Sequence, residues 1–339
     1  MSSQQLYRYS HTIGFYAQFG RGFNNPVDLA VRRDGLCYVL NRAGSDVSVR
    51  MGYKRVTMCN IAEEYYGDFS SGGTAEGQIM WPVAIALDAA DNVYISDEAL
   101  QRISIFDKDG RFLACWGKRG QGEGEFDRPA GLAFTRDQHL LVVDGRNNRV
   151  QKYTRDGTFL GAWGRTGSGP GEFNLPWGIA VDQADRVYVA DWRNDRIQQF
   201  AADGTFLASW GCSGEANGQF SRPSGVAVDQ AGYMHVADWG NERVQILAPD
   251  GQVQLILRGE SGLSKWGASY FTANQDELAE RLSADLEPPL EPPPTDMKRY
   301  ASASIEKLFW GPVAVKIDEA GRLYVVESCR HRIQIYCRA

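Results

Sequence analysis

Short runs of apolar, β-branched and aromatic residues recur along almost the whole chain, each closed by a polar turn. One clear set is GIAV, RVYVAD, RIQQFAA and TFLASW, separated by VDQAD, DWRND and ADGT. Runs that alternate or are wholly apolar and β-rich predict strands. Asp-Gly recurs at Asp109-Gly110, Asp156-Gly157, Asp203-Gly204 and Asp250-Gly251, a strong hairpin signal. Aligned on proline, four copies begin at Pro82, Pro129, Pro176 and Pro223, at a constant interval of 47 residues. Two weaker copies begin at Pro26 and Pro312, at intervals of 56 and 89, so 9 and 42 residues are inserted on the same period. Four antiparallel strands in each period of about 40–50 residues make a propeller blade. The expected fold is therefore all-β: one six-bladed β-propeller domain over residues 1–339, with a helical and Pro-rich insertion at 262–305 between blades five and six.

The last copy ends on its third strand, RIQIYCRA. The N-terminal stretch SHTIGFYAQFGRGFNNP reads as a spare fourth strand and joint, with Phe19-Gly20 standing where other copies have Trp116-Gly117 and Trp163-Gly164. Residues near 12–19 are thus expected to pair with the last blade and close the ring, which also removes exposed sheet edges. The Gly-rich joints, such as WGKRGQGEGEFDRP, lead into strands rather than helices, so they lack the helix N-terminus that holds an anion.

Several classes recede on composition. The net charge of −6 gives no global attraction for a phosphate backbone, which counts against RNA. No run approaches the roughly eighteen apolar residues of a membrane span. The six cysteines form no C-x-x-C pair and no zinc-ligand spacing, and MSSQQLYRYS lacks a secretory pattern, so a cytoplasmic protein with reduced thiols is expected.

The pattern P-x-G-I-A-V-D…V-Y-V-A-D-x-x-N-x-R-I-Q-x-F resembles that of NHL-repeat proteins, strongly in copies three to five and less in the others. The resemblance implies a six-bladed ring whose loops on one face bind partners. It does not imply one activity, because similar rings serve as RNA- or protein-binding modules, amidating lyases and lactonase-like enzymes. The repeated turn itself (Asp144, Asn147, Arg149 and their counterparts from Asp191 and Asp238) reads as scaffold, because a set present in blade after blade is simplest as turn chemistry.

Candidate sites lie where copies differ. Lys316 stands where other copies have Ala30, Ala86, Ala133, Ala180 or Ala227, and Asp28 stands where three have glycine. Both are predicted near the channel at the seam, as a structural ion pair or a ligand-holding charge. Arg32 and Glu327 are further copy-specific charges on that side. The turns between strands two and three bring Arg42, Glu98, Arg146, Trp192, Arg193, Trp239, Arg330 and His331 to one face, joined by Trp177 from a strand start. Trp and Arg are favoured at binding hot spots and for stacking bases, while the plain alternative is loop-to-loop packing. The four histidines offer no evident zinc triad, and Cys329 with His331 is at most a weak nucleophile pair. No cofactor is expected, and calcium held by channel carboxylates and carbonyls stays open.

In the insertion, TANQDELAERLSADL predicts an amphipathic helix with Leu278, Leu282 and Leu286 on one face and Thr272 or Asn274 as cap. EPPLEPPP should run as polyproline II, and ASASIEKLF adds a further turn. The insertion offers a lid over the channel mouth, an arm for a partner, or a surface for self-association. The leading functional expectation is a scaffold binding a protein or small molecule on its loop face. A lyase- or hydrolase-like enzyme with a channel-mouth pocket comes next, metal-assisted or not, and single-stranded RNA binding last.

Overall fold

Each repeat proline opens the innermost strand of a blade, where a missing N–H breaks no ladder. These strands are Pro26–Val31, Pro82–Leu87, Pro129–Phe134, Pro176–Val181, Pro223–Val228 and Pro312–Ile317. The computed structural model describes residues 6–44, 53–290 and 297–339. Six four-stranded antiparallel sheets follow one another, five of them in simple chain order from the axis outward. In the sixth, Pro312–Ile317, Leu323–Glu327 and Arg332–Arg338 are completed by Tyr7–Ile13, so both chain ends share one sheet. The ring is a six-bladed β-propeller closed by its N-terminal strand.

The closing strand runs earlier than the expected 12–19. Ile13 pairs with Ile333 as Trp116 pairs with Ile103, so Ile13-Gly14, and not Phe19-Gly20, takes the Trp-Gly position. Joint length explains the shift. Trp116 and Trp163 stand thirteen positions before Pro129 and Pro176, and Ile13 stands thirteen before Pro26. Phe23 then fills the place of Phe126 and Phe173, all fully buried.

Packing between blades explains the hairpin glycines. Gly157 has φ +90°, and a Cβ there would lie 2.7 Å from the Trp116 ring of the preceding blade. Gly204 meets Trp163 in the same way. Each Asp-Gly turn is therefore specified by its own left-handed backbone and by the neighbouring outer strand.

The repeated Asp-x-x-Asn-x-Arg turn ties each blade to the joint before it. Asp144 accepts from Asn147, Arg149 and Gln151, and from the Asp127 backbone N–H. Arg149 donates to the carbonyls of Gln121, Gly122 and Glu125. Arginine thus holds its own blade's carboxylate and three joint carbonyls. Burial pushes the Asp144 carboxyl up, against the pull of these donors.

The residue just before that arginine latches the next blade. Gln101, Asn148, Asp195 and Glu242 accept from the backbone N–H of Arg128, Leu175, Arg222 and Gly311 at 2.7, 2.7, 2.6 and 2.7 Å. At the seam the same job falls to His331, whose Nδ1 accepts from Asn25 N–H at 2.9 Å. All five latch residues sit at φ +51° to +55°. In blade one the latch position holds Lys54, which donates to the Arg42 carbonyl instead. The nine extra residues of copy one belong to the turn between Asn41 and Arg55, and 45–52 lie outside the described residues.

The insertion forms α1 (Lys265–Ala273), α2 (Gln275–Ser283) and α3 (Met297–Ser304). The single helix expected over 272–286 is broken at Asn274, whose φ of −127° and ψ of 72° leave the helical region and which serves as N-cap of α2. The leucine stripe does not pack: Leu282 is 77% exposed and α2 buries no residue. The anchor is Trp266 on α1, set edge-on against Phe23, its indole N–H donating to the Glu63 carbonyl at 2.7 Å. The Glu63 carboxylate also accepts from Gly14, Lys265 and Trp266 N–H, so one side chain joins the closing strand's joint to the start of α1. The expected polyproline run falls partly on 291–294, outside the described residues.

Candidate functional site

The inner strands enclose a channel that narrows to a waist of about 40 Å³. Asp28 and Lys316 line it, with Nζ 3.1 Å from Oδ1. Asp28 is buried and also accepts from Leu29 and Ile85 N–H, linking blades one and two. Burial pushes its carboxyl up, and the Lys316 ammonium is the largest pull the other way. Arg32 lies at the opposite mouth, paired with Asp34 and lining a wide depression of about 660 Å³ with Asp88, Asp91 and Arg322. Glu327 does not face the channel. It is fully buried in the Asp position of the repeated turn, holding Arg332, Gln334 and the Trp310 N–H. The structure therefore joins Asp28 with Lys316 and separates both from Arg32 and Glu327.

On the loop face the turns converge on a cavity of about 510 Å³. Arg42, Glu98, Arg146, Trp177, Trp192, Arg193 and Trp239 all line it, with Val27, Val83, Leu175, Pro176 and Val313 supplying apolar wall. Arg42 is paired with Glu98 and lies 5.4 Å over the Trp81 ring. Trp192 carries two guanidinium groups, Arg193 at 5.7 Å and Arg222 at 5.2 Å. Trp239 carries Arg299 of α3 at 5.4 Å. Trp177 lines both this cavity and the waist beneath it. Arg128 lines the cavity too; it stands just before the repeat proline, a place where a cavity-facing side chain has no sequence signature of its own.

Arg330 and His331 stay out of the cavity. Arg330 stacks on Trp310 and donates to the carbonyls of Ser302, Ala303 and Ile305, clamping the end of α3. His331 serves the seam latch and packs 4.9 Å from the Tyr16 ring; burial pulls its pKa down to about 4. Cys329 faces Ser328, and burial raises its thiol, so no Cys–His pair is assembled. His235 is buried edge-on to Tyr7, with its pKa held down to about 4 by burial, and His11 bonds the Ile61 carbonyl. Among the described residues no group of three or more His, Cys, Asp or Glu side chains gathers as a metal site. The described insertion residues line neither the cavity nor the waist; α3 reaches the rim through Arg299 on Trp239.

A family model for the NHL repeat matches residues 126–153, 173–200 and 309–336. Three of the six blades are thus NHL repeats. The matched segments run from the last joint residues through strands one to three of blades three, four and six. No curated protein matches the chain in sequence. Among solved structures the ring is similar to a streptogramin B lyase, with 10% identity, full coverage of both chains and a TM-score of 0.57. It is similar to virginiamycin B lyase from Staphylococcus aureus, with 10% identity, 98% of this chain and 100% of that chain covered, and a TM-score of 0.55. A protein of unknown function from Bacteroides thetaiotaomicron gives 16% identity, 98% and 76% coverage, and a TM-score of 0.62. At these identities the likeness is one of fold. No helix of the described residues is long and apolar enough to cross a membrane.

Proposed function

We propose that this ring is a binding module whose site is the loop-face cavity. The observation that carries the reading is convergence: seven residues from five blades, placed far apart in sequence, line one space of about 510 Å³. That volume lies in the range of roughly 300–1,000 Å³ typical of ligand pockets, and Trp and Arg among apolar walls are the usual makings of one. The insertion supports the same reading by framing the rim from blades five and six, where it offers a second contact surface to a partner. The six cysteines, all free thiols, favour a reducing compartment such as the cytoplasm.

An enzymatic reading draws on the lyases of similar fold, yet the cavity lining holds no His, Cys or Lys. Its one carboxylate, Glu98, is engaged by Arg42. A general base with free reach is therefore lacking among the described lining residues. A ligand-library screen by thermal shift, repeated on Trp177→Ala, tests the proposal. Saturable stabilisation that Trp177→Ala abolishes supports it. Ligands that act equally on both proteins, or a screen that retains only RNA oligonucleotides, refute it.

A further inference from the structure

The cavity's charge is opposite to that of the chain. The whole sequence carries −6, yet four arginines and one glutamate line this space. The imbalance is also one-sided. Glu98 is consumed by Arg42 on the side of blades one and two. Arg128, Arg146 and Arg193, on blades three and four, have no carboxylate within 4 Å among the described residues. The Arg193 guanidinium lies 5.7 Å over the Trp192 ring, a contact that restrains it and lowers the entropy lost on binding. Arginine forks without an acidic partner, beside a low-dielectric wall, are matched to a carboxylate or phosphate.

The apolar part of the site is equally directional. Trp192 and Trp239 already carry guanidinium groups. Trp177 carries none among the described residues, is partly exposed, and forms part of the cavity floor. Beneath it the waist of about 40 Å³, barred by the Asp28–Lys316 pair, admits little more than water. A ligand therefore enters from the loop face and stops at Trp177.

We infer that the cavity binds a small anion built on a flat apolar ring, the ring against Trp177 and the carboxylate or phosphate toward Arg128, Arg146 and Arg193. This rests on the reading of the cavity as the binding site, and the test separates the two. Titration calorimetry on the full chain compares 2-naphthoate and naphthyl phosphate with naphthylmethylamine and naphthalenemethanol, at low and high salt. The anions are expected to bind at least tenfold more tightly than the amine or the alcohol, and to weaken with salt. The better of the two anions tells carboxylate from phosphate as the native group. Arg146→Gln with Arg193→Gln, both exposed and so expected to leave the melting temperature intact, should weaken the anions tenfold and leave the alcohol unchanged. Equal binding of amine, alcohol and anions that Trp177→Leu removes overturns the anion inference and keeps the cavity. Anion binding that ignores the arginine changes overturns the inference as well. Failure of all four probes to bind sinks the cavity reading with it.

Discussion

Replacing His331 by asparagine should make the ring less sensitive to acid without weakening it at neutral pH. Four of the five latches use an amide or carboxylate oxygen, whereas the seam uses a neutral imidazole nitrogen. Protonation removes that acceptor and places a charge in a site whose burial holds the pKa down to about 4, against 6.5 for a free histidine. The folded pKa is depressed, so the unfolded chain takes up the proton first. Stability from the neutral ring is complete above pH 6.5 and drains away as pH falls toward 4. At about 1.36 kcal/mol per unit this gives an upper bound of roughly 3 kcal/mol, and about 2 kcal/mol once the ring's partial solvent contact is discounted. Asn148 already performs the same latch at φ +53°, and asparagine tolerates that backbone well. Urea unfolding of both proteins at pH 7.5, 6.0 and 4.5 reads the effect. The variant should match the parent at pH 7.5 and lose about 2 kcal/mol less by pH 4.5. His235, also held down to about 4, is present in both proteins and cancels in the comparison. Parallel pH profiles would refute the assignment of the seam's acid sensitivity to His331.

Further outcomes follow from the same packing. Deleting residues 1–13 removes the fully buried Tyr7 and Ile13, and should lower the melting temperature by about 10 °C or more in a scanning calorimeter; an unchanged melt would mean that the sixth blade stands on three strands. Asp28→Ala should destabilise by about 2–4 kcal/mol in denaturant titration, because it strands Lys316 and two backbone donors, while Lys316→Met should lose about 1 kcal/mol. The reverse order would contradict the role given to the backbone bonds. Trp266→Ala should free α1 and expose residues 265–290 to limited proteolysis, with the β signal in circular dichroism unchanged. Gly157→Ala, which meets both a positive φ and the Trp116 ring, should destabilise by about 2 kcal/mol or more on chemical unfolding.

Much of the ring was legible because its period is strict. The prolines at 47-residue spacing coincide with strand starts, and the Asp-Gly turns with hairpins. The closing strand was found but misplaced, because Phe19-Gly20 imitates the Trp-Gly ending while the true ending, Ile13-Gly14, does not. Counting thirteen residues back from the proline carries the signal that residue type obscured. The loop-face residues were legible from blade geometry, since equivalent turns must meet at one mouth. Arg330 and His331 departed from it because blade six spends them on the insertion and the seam. The insertion was least legible. Its leucines suggested a buried face, whereas the packing hangs on Trp266 and Glu63, whose partners are some 200 residues away.

Closure by Tyr7–Ile13 also sets the order in which the molecule can be made. Hairpins within a blade join residues a few positions apart, but Ile13 meets Ile333 across 320 residues. Local pairings form quickly and the long loop closes slowly. Five blades can therefore stack while the third strand of the sixth still shows an open edge and the N-terminal strand is loose. In a crowded solution that edge takes a matching strand from whichever chain is nearest, so protein concentration during refolding decides between a closed monomer and a strand-exchanged oligomer.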